Sequence, residues 1–261
     1  MNANEIIIYL SFINDGDWDK TFNDIRSKRR DFSNEDVQNV LKNIKSKFIT
    51  LLDKEYPETL KNSYKPPLAL YYYGDISLLK EYEKSVCVIG SRNPSSYGIE
   101  MTEKIVNDLP NDIVIVSGLA NGIDVTSHKA AINTNHKTIA VIGSGIDNCY
   151  PSENQKVYEE IKENHLLLSE YPNMVKPDKD HFPMRNRILA ALSKTVVVTD
   201  ASYRSGSSIT VSFAIEGGKN VCCIPHKATE QSLCNKLIKE GARLIENGDE
   251  ILEEINYKQY N

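Results

Sequence analysis

Gly90-Ser91-Arg92 follows an apolar run, Val86-Cys87-Val88-Ile89, and a cation just past a buried run is placed to hold an anion. Three more apolar runs end in glycine-bearing turns: Gly118-Leu119-Ala120-Asn121-Gly122, Gly143-Ser144-Gly145 and Arg204-Ser205-Gly206-Ser207-Ser208. Glycine lets the backbone come close to a ligand, and a helix starting after the turn offers unbonded N–H groups to negative oxygen. One such turn is ordinary turn chemistry. Four of them, two with an arginine and three with a serine, point to an anion site. A second constellation is DKDHFPMRNRILAALS, residues 178–193, where Lys179, Phe182, Arg185 and Arg187 fall within nine residues. Cations interleaved with an exposed ring suit single-stranded nucleic acid, the cations taking phosphates and the ring stacking on a base. Phe182, between His181 and Pro183, reads as a constrained loop residue. Arg187 abuts the apolar ILAAL and reads as structural.

Other chemistries fit less well. A dinucleotide fingerprint needs GxGxxG after the first strand, but Arg92 stands where the tight glycine turn should be, and Gly143-x-Gly145 lacks the third glycine. There is no GxxxxGK[ST], HExxH or GxSxG. His128 has no nucleophile paired with it in the sequence and reads as a helical residue near the sheet. Asp124 is placed to cap that helix, and Glu170 and Asp200, each at a strand end, are placed to orient an arginine.

The elements that must carry these residues alternate. Val/Ile/Leu-rich runs (VCVIG, DIVIVSG, KTIAVIG, HLLLSEY, KTVVVTDA, NVCCIP) are separated by helical stretches around 99–108, 124–133, 153–162, 207–216 and 231–240. Continuous apolar strands between helices predict an α/β fold with a mostly parallel sheet covered on both faces. In such a sheet, ligands bind beyond the carboxyl ends of the strands, which is where the glycine turns fall. Residues 1–55 read differently, as a small charged helical module, with Ser33 or Asn34 capping a helix that carries Val37, Val40, Leu41 and Ile44. Residues 56–261 form the expected sheet domain, entered through Pro66-Pro67 and the strand LALYYYG.

With 261 residues, 40% hydrophobic and 26% charged, the chain is long enough to bury a core. A net charge of −5 argues against a globally basic coat protein but leaves room for a local basic groove. The five cysteines show no CxxC or Cys/His spacing and read as reduced, mostly buried thiols. No signal peptide and no run near the ~18 apolar residues of a membrane span is evident, so a reducing cytoplasm is the expected setting. No metal site or cofactor is expected.

The blocks VCVIGSRNPSSYG, VSGLANGIDVTSHKAAI, TIAVIGSGIDNCYPSENQKVYEEI, LLLSEYPNMVKPDKDHFPMRNRILAALSKTVVVTDASYRSGSSIT and EGARLI resemble, in order, the motifs of the DprA/Smf family of DNA-processing proteins. The resemblance runs from about Tyr56 to Ile245. It implies an extended Rossmann-like fold that binds single-stranded DNA without cofactor or catalysis, forms a homodimer and loads the recombinase RecA during DNA uptake and recombination. Carried over, Gly90, Ser91 and Arg92 would grip a phosphate, and Lys179, Phe182, Arg185 and Asn186 would line the strand's path. Gly118, Gly122 and Gly143 would admit the backbone, and Arg204, Ser205 and Gly206 would complete the groove. Leu233, Leu237 and Ile238 lie along one side of the last helix, which reads as core or, alternatively, as a dimer or RecA-partner surface. The sequence departs from the family pattern at Asn121, where a basic residue is usual, at His226, where glycine is usual, and at Asp200, where glutamate is common. The N-terminal segment is short for the family, and a C-terminal winged helix is expected to be absent. The competing reading is a nucleotide-binding enzyme or sensor of the lysine-decarboxylase-like phosphoribohydrolase type, whose PGGxGT signature is missing here.

Overall fold

The unbroken apolar runs become the middle of one sheet because both of their faces are covered by helices. The computed structural model describes residues 1–256. Three helices come first: α1 (Ala3–Ile13), α2 (Trp18–Arg26) and α3 (Asn34–Asn43). Then β1 (Lys47–Thr50), the single turn α4 (Glu58–Lys61) and β2 (Ala69–Gly74) lead into alternation. It runs β3 (Ser85–Gly90), α5 (Ser96–Asp108), β4 (Val114–Ser117), α6 (Ile123–Asn133), β5 (Thr138–Ile142), α7 (Gln155–Asn164), β6 (Leu166–Ser169), α8 (His181–Ala191) and β7 (Thr195–Asp200). It closes with α9 (Ser207–Glu216), β8 (Asn220–Cys223), α10 (Leu233–Lys239), β9 (Arg243–Leu244) and α11 (Asp249–Asn256).

The sheet order is β1-β2-β6-β5-β4-β3-β7-β8-β9. β1 and β2 pair antiparallel with each other, and β2 pairs antiparallel with β6; the other pairings are parallel. This is the expected α/β, mostly parallel, Rossmann-like architecture. From β3 the chain steps outward through β4, β5 and β6, then returns to place β7 on the other side of β3. The reversal makes a switch point between β3 and β7, where loops leave in opposite directions and open a crevice.

Alternate strand residues serve opposite faces. Cys87 and Ile89 join Val196 and Val198 under α8, α9 and α10, whereas Val86 and Val88 join Val197 under α5, α6 and α11. A third cluster packs α1 and α7 on Ala140, Ile142 and Leu167. Burial on both faces removes the apolar–polar alternation, which is why these strands read as continuous runs.

Three local expectations are corrected. The sheet begins at Lys47, inside the stretch assigned to the helical module, because β1 pairs with β2 along Lys47↔Tyr72 to Thr50↔Ala69. Phe182 belongs to the first turn of α8 rather than to a loop, since Pro183 at that turn lacks only an N–H that would be unbonded anyway. Leu233 and Leu237 point into the chain's own core beneath β7 and β8, and Ile238 packs against the same cluster, so α10 does not leave them as a free partner surface. Among the described residues no helix is long and apolar enough to cross a membrane.

Candidate nucleic-acid interface

The crevice at the switch point is a cavity of about 510 Å³. Gly90, Ser91, Arg92 and Asn93 from the β3–α5 loop form one wall, and Ser202, Ser205, Gly206 and Ser207 from the β7–α9 loop form another. Lys179, Phe182, Arg185 and Asn186 from the start of α8 form the third. The two sequence constellations, about ninety residues apart in the chain, therefore share one cavity. A second cavity of about 240 Å³ adjoins it, lined by Gly118, Ala120, Asn121, Gly143, Tyr150 and Pro151 together with Arg92, Phe182 and Arg185.

Arg92 and Phe182 stand between the two cavities. The Arg92 guanidinium lies over the Phe182 ring, 5.1 Å from its centre, and the Tyr150 ring tilts against Phe182 at 5.9 Å. Gly143 packs under the ring, where a Cβ would stand 2.9 Å from Phe182 Cδ1. Arg92 is exposed. The described arginines that form ion pairs are Arg29, Arg187 and Arg243, so Arg92 and the equally exposed Arg204 keep their charge for solvent or a ligand. Lys179 is exposed at the rim.

Helix starts converge on the same cavity. The N-caps of α6, α8 and α9 are Gly122, Asp180 and Gly206, and no N-cap side chain bonds to their first turns, though Ser205 Oγ accepts the Ser207 amide at 3.2 Å. Gly122 is needed for two reasons: its φ is +81°, and a Cβ would strike the Ser91 carbonyl oxygen. Gly206 is different, since a Cβ there would meet nothing within 4 Å. No protein neighbour requires that glycine; a ligand approaching the backbone would.

Arg185 is placed otherwise than a strand contact would be. It is only 4% exposed. Its Nη1 donates to the Gly118 carbonyl at 2.6 Å and to the Val141 carbonyl, tying the ends of β4 and β5 together. Beside it lies Asp124, in the first turn of α6 rather than at its cap, with the Gly118 and Ala120 amides helping to stabilise its carboxylate. Burial pushes the Asp124 carboxyl up, opposed by Arg185, and burial draws Arg185 down. Buried together, with Arg185 bonded to two strand-end carbonyls, the two carry the cavity floor. Asn186 reaches across to the Gly206 carbonyl at 3.4 Å.

Arg187 is structural, as its apolar flank suggested. It is 1% exposed and bonds both oxygens of Glu170 at 2.7 and 2.8 Å. Glu170 thus does orient an arginine. Asp200 orients a serine instead, its carboxylate accepting from the Ser95 amide and hydroxyl, both at 2.8 Å. His128 is fully buried, with Nδ1 2.7 Å from Thr138 Oγ1; burial drives it down to about 3, which keeps it neutral. Tyr150 is the cavity residue that sequence reasoning did not single out. It sits in the quoted Tyr-Pro-x-x-Asn block, and an aromatic beside a glycine turn was the available signal. Among the described residues no cluster of His, Cys, Asp and Glu could hold a metal ion.

This is an α/β protein with a cation-bearing cleft at its topological switch point. The profile of the DNA recombination-mediator protein A family matches residues 47–256. The DNA processing protein DprA of Streptococcus pneumoniae is 44% identical over 210 residues, covering 80% of this chain and 74% of that protein. The Bacillus subtilis DprA is 41% identical over 214 residues, covering 79% and 70%. The crystal structure of the S. pneumoniae protein superposes with a TM-score of 0.81 at 37% identity, over 97% of this chain and 93% of that one. A Helicobacter pylori DprA structure concerned with that protein's single-stranded DNA binding mode gives 0.73 at 32% identity, over 83% and 99%. The chain belongs to the DprA/Smf family of DNA recombination mediators.

Proposed function

We propose that this chain binds single-stranded DNA in the switch-point cleft, without catalysis or cofactor, and delivers it to the RecA recombinase in the cytoplasm, working as a homodimer. The observation that carries the reading is the pairing of Arg92 with Phe182 at the mouth of the switch-point cavity. Arg92 and Ser91 would take a phosphate at the positive start of α9, with Ser205 and Gly206 beside them. A base unstacked from its neighbours would replace the guanidinium on the Phe182 face, a trade of one π partner for another. Lys179 and Arg204 would meet flanking phosphates at the rim, and Asn186 would steady the loop through Gly206. Gly118 and Gly143 keep the adjoining cavity open for a neighbouring nucleotide. Duplex DNA would not present an unpaired base face to the ring. The likeness to the H. pylori protein supports the same ligand class.

The test is fluorescence anisotropy of labelled oligo-dT against a matched duplex, across salt concentrations. With about four to six phosphate contacts, log affinity should fall against log salt with a slope of about −3 to −4. Arg92→Ala should weaken binding at least roughly tenfold, the loss of one charge-assisted contact. A slope near zero, or indifference to Arg92→Ala, would overturn this function.

A further inference from the structure

We propose that Asp200 is a positioning residue for Arg92: it clips the loop that carries the arginine at both ends, so that a carboxylate beside an anion site strengthens anion binding. The inference rests on the function proposed above. Arg92 sits in a short exposed loop between β3 and α5, and a free loop of that kind would spread the guanidinium over many positions. The Ile123 amide holds the Ser91 carbonyl at 3.1 Å, and Asp200 fixes the loop on both sides of Arg92. The Asp200 backbone carbonyl accepts the Ser91 amide at 2.6 Å, holding the residue just before Arg92. Its carboxylate Oδ2 accepts the Ser95 amide and the Ser95 hydroxyl, both at 2.8 Å, holding the loop's far end. Ser95 in turn caps α5 by accepting the Gly98 amide at 3.0 Å.

The surroundings are shaped around this contact. Gly98, on the first turn of α5, leaves space that the Asp200 carboxylate occupies; a Cβ at Gly98 would collide with it. Gly90 lies opposite Asp200 where the β3–β7 register shifts, and a Cβ there would stand 2.5 Å from the Asp200 carbonyl oxygen. Glycines at 90 and 98 thus bracket the loop and allow β7 to reach it from one side.

The proposal predicts a sign that simple electrostatics reverses. Asp200 adds negative charge near a site for phosphate, so if it were only a nearby charge, removing it would tighten DNA binding. As a clip, its loss should weaken binding. Asp200→Ala, which removes the acceptor, should bind oligo-dT roughly tenfold more weakly, within the range of couplings between neighbouring groups. Asp200→Asn keeps one acceptor oxygen and drops the charge, so it should bind as tightly as the wild type or more tightly. In an Arg92→Ala background, Asp200→Ala should cost nothing further. Amide hydrogen exchange at Ser95, read without DNA, should quicken in Asp200→Ala and stay slow in Asp200→Asn. Wild-type-like or tighter binding by Asp200→Ala, or an undiminished loss in the Arg92→Ala background, would overturn the clip. If Asp200→Ala does not fold, Gly98→Ala displaces the same carboxylate and should show the same loss and the same dependence on Arg92. A wild-type protein that fails to bind oligo-dT would remove the proposed function alone; unchanged exchange at Ser95 in Asp200→Ala would remove the clip alone.

Discussion

The helices of residues 3–43 and the helices that open onto the cleft finish their first turns in opposite ways. Asn2, Asp17 and Ser33 each turn a side chain back onto the first turn of their helix, and at Asn2 and Ser33 the third residue returns the bond. Gly122, Asp180 and Gly206 do none of this for α6, α8 and α9. A capped helix has its amide donors satisfied within the chain and adds to stability alone. At these starts loop oxygens of Ser91 and Ala120, of Asp178 and of Ser205 take first-turn amides instead, so what faces the cavity is a positive helix end with no cap side chain over it, which suits an anion. The arginines divide the same way. Arg187 is buried and bound to Glu170, and Arg185 is buried and bound to strand-end carbonyls, whereas Arg92 is exposed and rests on a ring. The difference teaches where to look for function here: the arginine left without a carboxylate or carbonyl partner and the helix starts left without a cap side chain lie at the strand ends.

Substitutions on the two sides of this divide should separate stability from binding. The largest effect belongs to Arg187→Ala, which strands Glu170 as an unpaired buried carboxylate; unfolding in urea should show a loss of about 3–5 kcal/mol. Next comes Arg92→Ala, which should cost about 1.5–3 kcal/mol of oligo-dT affinity while leaving the urea midpoint unchanged. A large stability loss at Arg92 would break the division.

Acid should act through His128. Its pKa falls from an unfolded value near 6.5 to about 3, so the unfolded chain binds the proton first. Stability is therefore complete above about pH 6.5 and declines toward pH 3, by up to about 1.4 kcal/mol per pH unit. Urea curves between pH 7 and 5 should show a shallower decline for His128→Gln than for the wild type. A parallel decline in both would shift the cause to other groups, such as His165 and His181, which burial also lowers.

Smaller effects sharpen the contrast. Ser33→Ala removes a capping box and should cost about 1 kcal/mol of stability without changing DNA affinity. Gly206→Ala should do the converse. Its stability should stay within about 0.5 kcal/mol of wild type, because a Cβ meets no protein atom, yet binding should weaken measurably if the strand passes against that backbone. Unchanged binding by Gly206→Ala would place the strand elsewhere in the cleft.

Much of the fold was legible in the residues. Continuous Val/Ile/Leu runs between helical stretches define a parallel sheet covered on both faces, because that periodicity has no other comfortable packing. Glycine at the end of a run marks a turn, and a cation beside it marks an anion, so the GSR loop and the Lys179–Asn186 segment stood out before any coordinates. What the residues alone did not decide was direction. The apolar flank of Arg187 marked it as structural, but only the fold shows that Arg92 faces the cleft, that Arg185 braces two strands and that Glu170 is the partner of Arg187. Leu233 and Leu237 likewise have a helical stripe that suits a core or a partner equally, and the position of β7 and β8 beneath α10 settled it. Asp200's grip on Ser95 spans 105 residues, and no local pattern announces it. Local periodicity and turn chemistry are written in near neighbours along the chain; which side chain is satisfied by which distant partner is decided by the sheet order that brings β3 beside β7.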